Sequence, residues 1–365
     1  MRRDSPLRLL LLATALLSRP VSAQEVLSGV ERIVAVGDVH GDYQQFVTVL
    51  RQAGVVNAKT RWSGGRTHLV QVGDVLDRGP DSRKVLELLM ALEPQAVKAG
   101  GQVHALIGNH EVMNVLGDLR YVSAKEYEAF RGPKSKQLQE RAWKVLSDST
   151  RRDDSAYRAQ WFQDHPLGWV EQRLAFEGNG RYASWIRGHN AVLKINDFLF
   201  LHGGIGPKYV DSSLTSLNVG VRRALDPTSP PAEGNIAEDP EGPLWYRGLA
   251  TGDEAALSPL VDSVLQSFGV HHVVIGHTVT PGTVFPRFGG RVITIDVGLS
   301  SVYGGPPAGL VIENGTVYTL HRGTKLLLPL GGDLWPYLEA AVALDPPGSR
   351  LRTFLAEQKA AKGSP

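Results

Sequence analysis

Five times along the chain, a short apolar run ends in a glycine beside a residue able to hold a metal ion. Residues 33–36 lead into Gly37-Asp38-Val39-His40-Gly41-Asp42. Residues 69–72 lead into Gly73-Asp74, with Asp77-Arg78-Gly79 just beyond. Residues 105–107 lead into Gly108-Asn109-His110-Glu111, residues 198–201 into His202-Gly203-Gly204, and residues 273–275 into Gly276-His277-Thr278. The donors are carboxylates, an amide oxygen and imidazoles. Hard oxygen mixed with imidazole nitrogen suits divalent transition ions. A shared carboxylate can bridge two ions roughly 3.5–4 Å apart, the spacing that two-metal phosphate chemistry requires. Taken singly, Asp38 or Asp74 reads as a turn residue or helix cap. His202 alone reads as a core histidine, Asn109 as a turn and Arg78 as a surface ion pair. Five units of one form in succession are hard to reconcile with independent turns.

Such residues need elements that bring them together. Runs at 32–36, 67–72, 102–107, 198–201, 272–275 and 291–295 are mostly continuous in apolar character, which suits strands buried on both faces. Between them, helical periodicity covers 43–53, 81–99 and 254–268. Pro80 suits a helix start, and Pro94 predicts a break or kink near that helix's end. Alternating strands and helices predict an α/β fold. Carboxyl ends of strands in such a sheet share one edge, so the five strand ends should converge there. Glycine at each turn lets the backbone bend sharply. Residues 118–190 are rich in charge and aromatics, with helical stretches at 124–130 and 136–146. They read as a mostly helical insertion or cap, or simply as more scaffold. Residues 226–243 read as a surface loop. The tail, 331–365, reads as helical with a Pro346-Pro347 break and a frayed end. His68, His104, His271 and His272 flank or sit within strand runs and read as structural. His165, His189 and His321 have no motif around them.

Composition limits the alternatives. With 365 residues, 42% hydrophobic and 21% charged, the chain is an ordinary globular protein able to bury a large core. It has no cysteine, which removes disulfides, thiolate ligands and thiol nucleophiles. Residues 1–23 carry Arg2, Arg3 and Arg8, an apolar stretch at 9–17, and small residues before Gln24. This is the pattern of a cleavable secretory signal, with cleavage after Ala23 and a secreted or periplasmic product without a membrane span. An uncleaved membrane anchor is the alternative. The segment holds four arginines against Asp4, a net of +3, while the whole chain is +2, so the remainder is −1. Nothing there suggests a nucleic-acid platform, which needs a basic surface.

The order GDVHGD, GDVLDRGPDS, GNHE, HGG and GHT resembles the calcineurin-like metallophosphoesterase superfamily. The DRG and GNHE elements resemble its phosphoprotein phosphatase type. The spellings GDVLDRGPDSRKVLELLM and IGNHEVMN look closest to the Shewanella-like protein phosphatases. The resemblance covers roughly residues 31–320. It implies a four-layer α/β/β/α sandwich, a catalytic domain over 24–330 and two metal ions, drawn from manganese, iron or zinc. It implies that Asp38 and His40 bind the first ion, that Asp74 bridges both, and that Asn109, His202 and His277 bind the second. His110 would be the general acid, oriented by Asp77. Arg78 and Arg247 would bind phosphate, and Tyr303 would line the site. Many members of the superfamily carry a second histidine two residues after the first in their GHxH motif. Here that position is Val279, one imidazole fewer for the first ion.

The function so implied is hydrolysis of phosphomonoesters, either phosphorylated Ser, Thr or Tyr side chains or a small phosphomonoester. A nucleotide or oligophosphate hydrolase, or a phosphodiesterase, would use the same site. A non-catalytic metal- or partner-binding protein is disfavoured, because the positions for metal and acid are filled.

Overall fold

The apolar runs form strands with almost no exposed positions. The computed structural model describes residues 24–229 and 234–363; the expected signal segment lies outside them. In chain order the strands are β1 (Val26–Leu27), β2 (Arg32–Val36), β3 (His68–Gln71), β4 (Gln102–Ala105), β5 (Val192–Ile195) and β6 (Phe198–Leu201). They continue as β7 (His272–Ile275), β8 (Phe285–Arg287), β9 (Val292–Thr294), β10 (Ala308–Glu313), β11 (Thr316–His321) and β12 (Thr324–Leu327). They build two six-stranded sheets, ordered β1-β5-β6-β7-β9-β8 and β12-β11-β10-β2-β3-β4. The helix-flanked, two-sheet architecture agrees with the sandwich expected from the resemblance. A single shared sheet edge does not occur. Strands β2, β3 and β4 are parallel neighbours in one sheet, and β6, β7 and β9 in the other. The division follows from the hairpin of β5 and β6, which starts the second sheet by antiparallel pairing.

The two sets of strand ends nevertheless meet. The Ile107 amide donates to the Asn190 carbonyl at 3.0 Å, and the His277 amide to Asp38 Oδ1 at 3.0 Å. A Cβ on Gly37 would stand 2.3 Å from the Ile295 carbonyl oxygen, so only glycine allows that approach between the sheets.

Helices follow the strands and aim their first turns at this junction. They are α1 (Tyr43–Gln52), α2 (Ser82–Lys98) and α3 (Asn109–Leu116). Asp42 caps α1 by accepting from the Gln45 amide. Helix α2 continues past Pro94 to Lys98, contrary to the expected break, because Leu92 and Ala96 on either side of the proline are buried. Between β4 and β5 lie α4 (Ala124–Phe130), α5 (Ser135–Leu146), α6 (Ser155–Asp164), α7 (Trp169–Phe176) and α8 (Arg181–Arg187). Ala142, Trp143, Trp161 and Val170 there form a small core apart from the main one. Later helices are α9 (Leu214–Leu225), α10 (Gly248–Thr251), α11 (Glu254–Phe268), α12 (Trp335–Leu344) and α13 (Arg350–Gly363). Tyr337, Leu338 and Leu351 of the last two belong to the main core, and the Tyr337 hydroxyl donates to the Val284 carbonyl at 2.6 Å. Among the described residues, no helix is long and apolar enough to cross a membrane.

Candidate metal centre and active site

Each glycine turn delivers its polar residue into one buried cleft between the sheet ends. Asp74 is the hub. Its Oδ2 stands 3.2 Å from His202 Nε2 and 3.8 Å from both His40 Nε2 and His110 Nε2. His40 and His202 are fixed from behind, their Nδ1–H groups donating to the Leu76 and Val72 carbonyls, each at 3.0 Å. That bond sets the tautomer and leaves each Nε2 lone pair facing the cleft, the usual arrangement of a metal-binding histidine. His202 Nε2 also lies 2.8 Å from Asn109 Oδ1 and 3.1 Å from His277 Nδ1. Asp38 Oδ2 is 3.8 Å from His40 Nε2.

The backbone here is held in a costly conformation. His40, Asp74, Asp77, Arg78 and His277 all have left-handed φ between 45° and 70° without being glycine. Such residues cost of order 1–3 kcal/mol each and collect at functional sites. The glycines beside them are fixed by crowding: a Cβ on Gly108 would lie 2.3 Å from Asp74 Oδ1, and one on Gly276 2.4 Å from Asp38 Oδ1.

The electrostatics point to cations. Burial, then the charges of Asp296 and Asp74, push the Asp38 carboxyl well above the usual carboxylate range. Burial also raises Asp296 to about 6 and, with the Asp74 charge, Glu111 to about 7. Burial pushes Asp74 up as well, but His202, His110 and His40 outweigh it and hold that carboxyl well below its ordinary value. Burial lowers His40 to about 4 and, with His202, lowers His277 to about 2. Crowded carboxylates and neutral imidazoles, with His277 Nε2 buried and unpartnered, are the donor set of a metal centre. The ligating atoms fall into two groups sharing Asp74: His40, Asp74 and His110, and Asp74, His202 and His277. The residues therefore fit a pair of ions.

His110 belongs geometrically to the first group, but its chemistry differs. Its Nδ1–H donates to Asp77 Oδ2 at 2.5 Å. Burial opposes its protonation, yet Asp74 and Asp77 outweigh this and raise it to about 9. Its Nδ1–H meets a carboxylate, whereas those of His40 and His202 meet backbone carbonyls. Arg78 sits beside this pair with its guanidinium carbon 3.8 Å above the Tyr121 ring. Tyr303 flanks the opposite side, its ring 5.4 Å from that of His40. Arg247 lies against the His277 turn, donating to the His277 carbonyl at 2.6 Å and to Thr278 Oγ1 at 3.0 Å. One arm of its guanidinium thus clamps the turn.

A calcineurin-like phosphoesterase model matches residues 31–281. The chain belongs to the calcineurin-like phosphoesterase family. It is 33% identical over 300 residues to an uncharacterized protein of Schizosaccharomyces pombe, spanning 80% of this chain and 81% of that one. It is 30% identical over 291 residues to Shewanella-like protein phosphatase 2 of Arabidopsis thaliana, spanning 74% and 72% respectively. The crystal structure of the cold-active protein-tyrosine phosphatase of a psychrophilic Shewanella species superposes with a TM-score of 0.66 at 30% identity, over 87% of this chain and 86% of that one.

Four residues of this phosphoesterase site escape the sequence reading. Asp296, one residue beyond the last apolar position of a strand run, is a sixth polar strand end and 2% exposed. Its signal was a carboxylate directly after 291–295 with Gly298 following, and the Gly298 amide donates to Asp296 Oδ1 at 2.9 Å. Glu111 lies inside a recognised motif, and its carboxylate accepts from the amides of Asp74, Val75 and Gly108 at 2.8, 3.0 and 2.8 Å. Asn114, the last residue of the run IGNHEVMN, donates to Asp77 Oδ1 at 2.9 Å, and Tyr121, which no motif marked, supports Arg78. Val279 is 38% exposed and adds nothing to the cleft.

Proposed function

We propose that the chain is a metal-dependent phosphomonoesterase acting on phosphorylated protein side chains, with phosphotyrosine among its substrates. The observation that carries this is Asp74 shared between two donor groups, with the His110–Asp77 pair and the Arg78 guanidinium beside it. In this reading Asp38, His40 and Asp74 hold one ion, and Asp74, Asn109, His202 and His277 the other. Manganese, iron or zinc all suit these donors. Bound there, such ions supply Lewis acidity and charge neutralisation for phosphoryl transfer.

The chain's own residues do the rest. Arg78 offers a planar fork to two phosphoryl oxygens at once. His110 gives its Nε2 proton to the departing oxygen while Asp77 holds Nδ1–H and stabilises the imidazolium beforehand. Tyr121 and Tyr303 supply aromatic walls on two sides, an arrangement that favours an aryl leaving group. The likeness to a protein-tyrosine phosphatase supports the same choice. Residues 1–23 would direct the product to the periplasm or outside, and helices α4–α8 would act as a cap.

The test is a panel of phosphotyrosine, phosphoserine and phosphothreonine peptides, nucleotides and a bis-aryl phosphodiester, with manganese added. Phosphopeptides, led by phosphotyrosine, should be turned over fastest. Faster turnover of nucleotides or the diester overturns the assignment. No turnover of any would make the chain a binding protein.

A further inference from the structure

The catalytic pair does not stand alone. Behind Asp77 runs a file of buried amides that leaves the sheet junction and ends in the helical segment. Asp77 Oδ2 holds His110 Nδ1–H at 2.5 Å, and Asp77 Oδ1 accepts from Asn114 Nδ2 at 2.9 Å. Asn114 Oδ1 in turn accepts from Gln172 Nε2 at 2.9 Å. Gln172 belongs to α7, a turn beyond its start, while Asn114 belongs to α3. All four side chains are buried: Asp77 is 1% exposed, Asn114 and Gln172 2%, His110 5%.

The direction of every bond is forced. Asp77 can only accept, so the Asn114 amide nitrogen must face it. The same nitrogen reaches the His110 carbonyl at 3.1 Å, so the Asn114 oxygen must face away, towards α7. Only the Gln172 nitrogen can meet that oxygen. This orientation has a cost, because Gln172 Oε1 is left buried without a partner. A half-satisfied buried amide is less stable than an apolar side chain of similar shape. The neighbouring Arg173 pins the same place, its Nη1 donating to the Asn114 carbonyl at 2.6 Å.

We propose that Gln172 is a positioning residue for the proton donor, acting through Asn114 and Asp77 on His110. The helical segment then reaches the chemistry from behind, besides whatever it does at the mouth of the cleft. Polarised bonds in series strengthen one another at low dielectric. Gln172 therefore keeps Asp77 Oδ2 turned to His110 and the Nε2 proton turned to the leaving group. The inference rests on the general-acid role given to His110 above.

The experiment is a double-mutant cycle of Gln172→Leu with Asp77→Asn, measured on phenyl phosphate and on 4-nitrophenyl phosphate. Gln172→Leu should lower kcat on phenyl phosphate by about threefold to tenfold, the size of one hydrogen bond. It should leave KM and bound metal unchanged, and barely affect the activated ester. In the Asp77→Asn background it should have no further effect, since its route to His110 is already cut. Gln172→Met serves if the leucine variant is poorly folded. Equal losses on both esters, or full additivity with Asp77→Asn, overturn the inference while leaving the phosphatase reading intact. A wild type that hydrolyses neither ester overturns both.

Discussion

His110 makes a measurable statement about stability in the metal-free protein. Its proton affinity is raised from 6.5 to about 9, because Asp74 and Asp77 outweigh burial. A group that binds its proton more tightly when folded contributes fully below its unfolded value and loses that contribution as pH rises through the folded one. The window is therefore pH 6.5 to about 9. Over most of it the difference approaches one proton, or about 1.4 kcal/mol per pH unit. Between pH 7 and 9 the chelator-treated protein should lose roughly 2 kcal/mol from this residue. Glu126, raised to about 8 by burial and then by Asp77, loses stability over the same range, and burial also raises Asp38, so His110 is read from the difference between wild type and the His110→Asn variant. His40 and His277, held low by burial, are neutral in both states there. Asp296 is largely ionised in both by pH 7, and Glu111 has its midpoint there and completes its ionisation over the next unit. The assay is urea unfolding of metal-free protein at pH 7, 8 and 9, beside His110→Asn. Both should weaken, the wild type by about 2 kcal/mol more than the variant. Manganese should flatten the wild-type slope, because a nearby cation disfavours a protonated imidazole. Equal losses in wild type and variant across pH 7–9 would falsify the account of His110.

His110→Asn should lose ~10²–10⁴-fold in kcat on a poor leaving group such as phenyl phosphate, and markedly less on 4-nitrophenyl phosphate, with metal retained; uniform loss contradicts proton donation. Asp74→Asn should reduce bound metal, measured by elemental analysis after dialysis, from two ions to one or none; two retained ions would remove Asp74 as the bridge. Tyr121→Ala should weaken competitive inhibition by inorganic phosphate about threefold to tenfold as the shelf under Arg78 is lost, while Tyr121→Phe keeps it. Equal weakening in both variants would mean that the hydroxyl, not the ring, matters.

The parts read most readily from sequence were those with continuous burial and a glycine stop. Strands β2, β6 and β7 have the expected bounds, because apolar runs buried on both faces leave no ambiguity of face. The hairpin of β10 and β11 also had a signal, since Asn314-Gly315 sits between apolar runs and both adopt positive φ. It is nevertheless missing from the strands expected. Asp296 was legible in the same way as Asp38, a carboxylate at the end of a strand. What periodicity could not supply was the partnership of strands. Nothing in the residues 192–201 says that they begin a second sheet rather than extend the first. The Gln172–Asn114 bond is equally silent: both residues look like ordinary polar positions on helices until α7 is laid against α3.

The division of the strand ends between two sheets bears on how the protein comes into being. Asp38, Asp74 and Asn109 are finished early in synthesis, whereas His202 and His277 arrive only with the second sheet. A growing chain has Asp38, His40, Asp74 and Asn109 long before it has the two imidazoles of the second sheet. Ions bound in the final arrangement tie the two halves together, so their binding energy is also docking energy between the sheets. Whichever ions are plentiful where the last strands close should then be trapped. On that view the metal identity is a record of where maturation ended. Refolding purified chain in mixtures of manganese, iron and zinc, and comparing its content with protein taken from its host, would read that record.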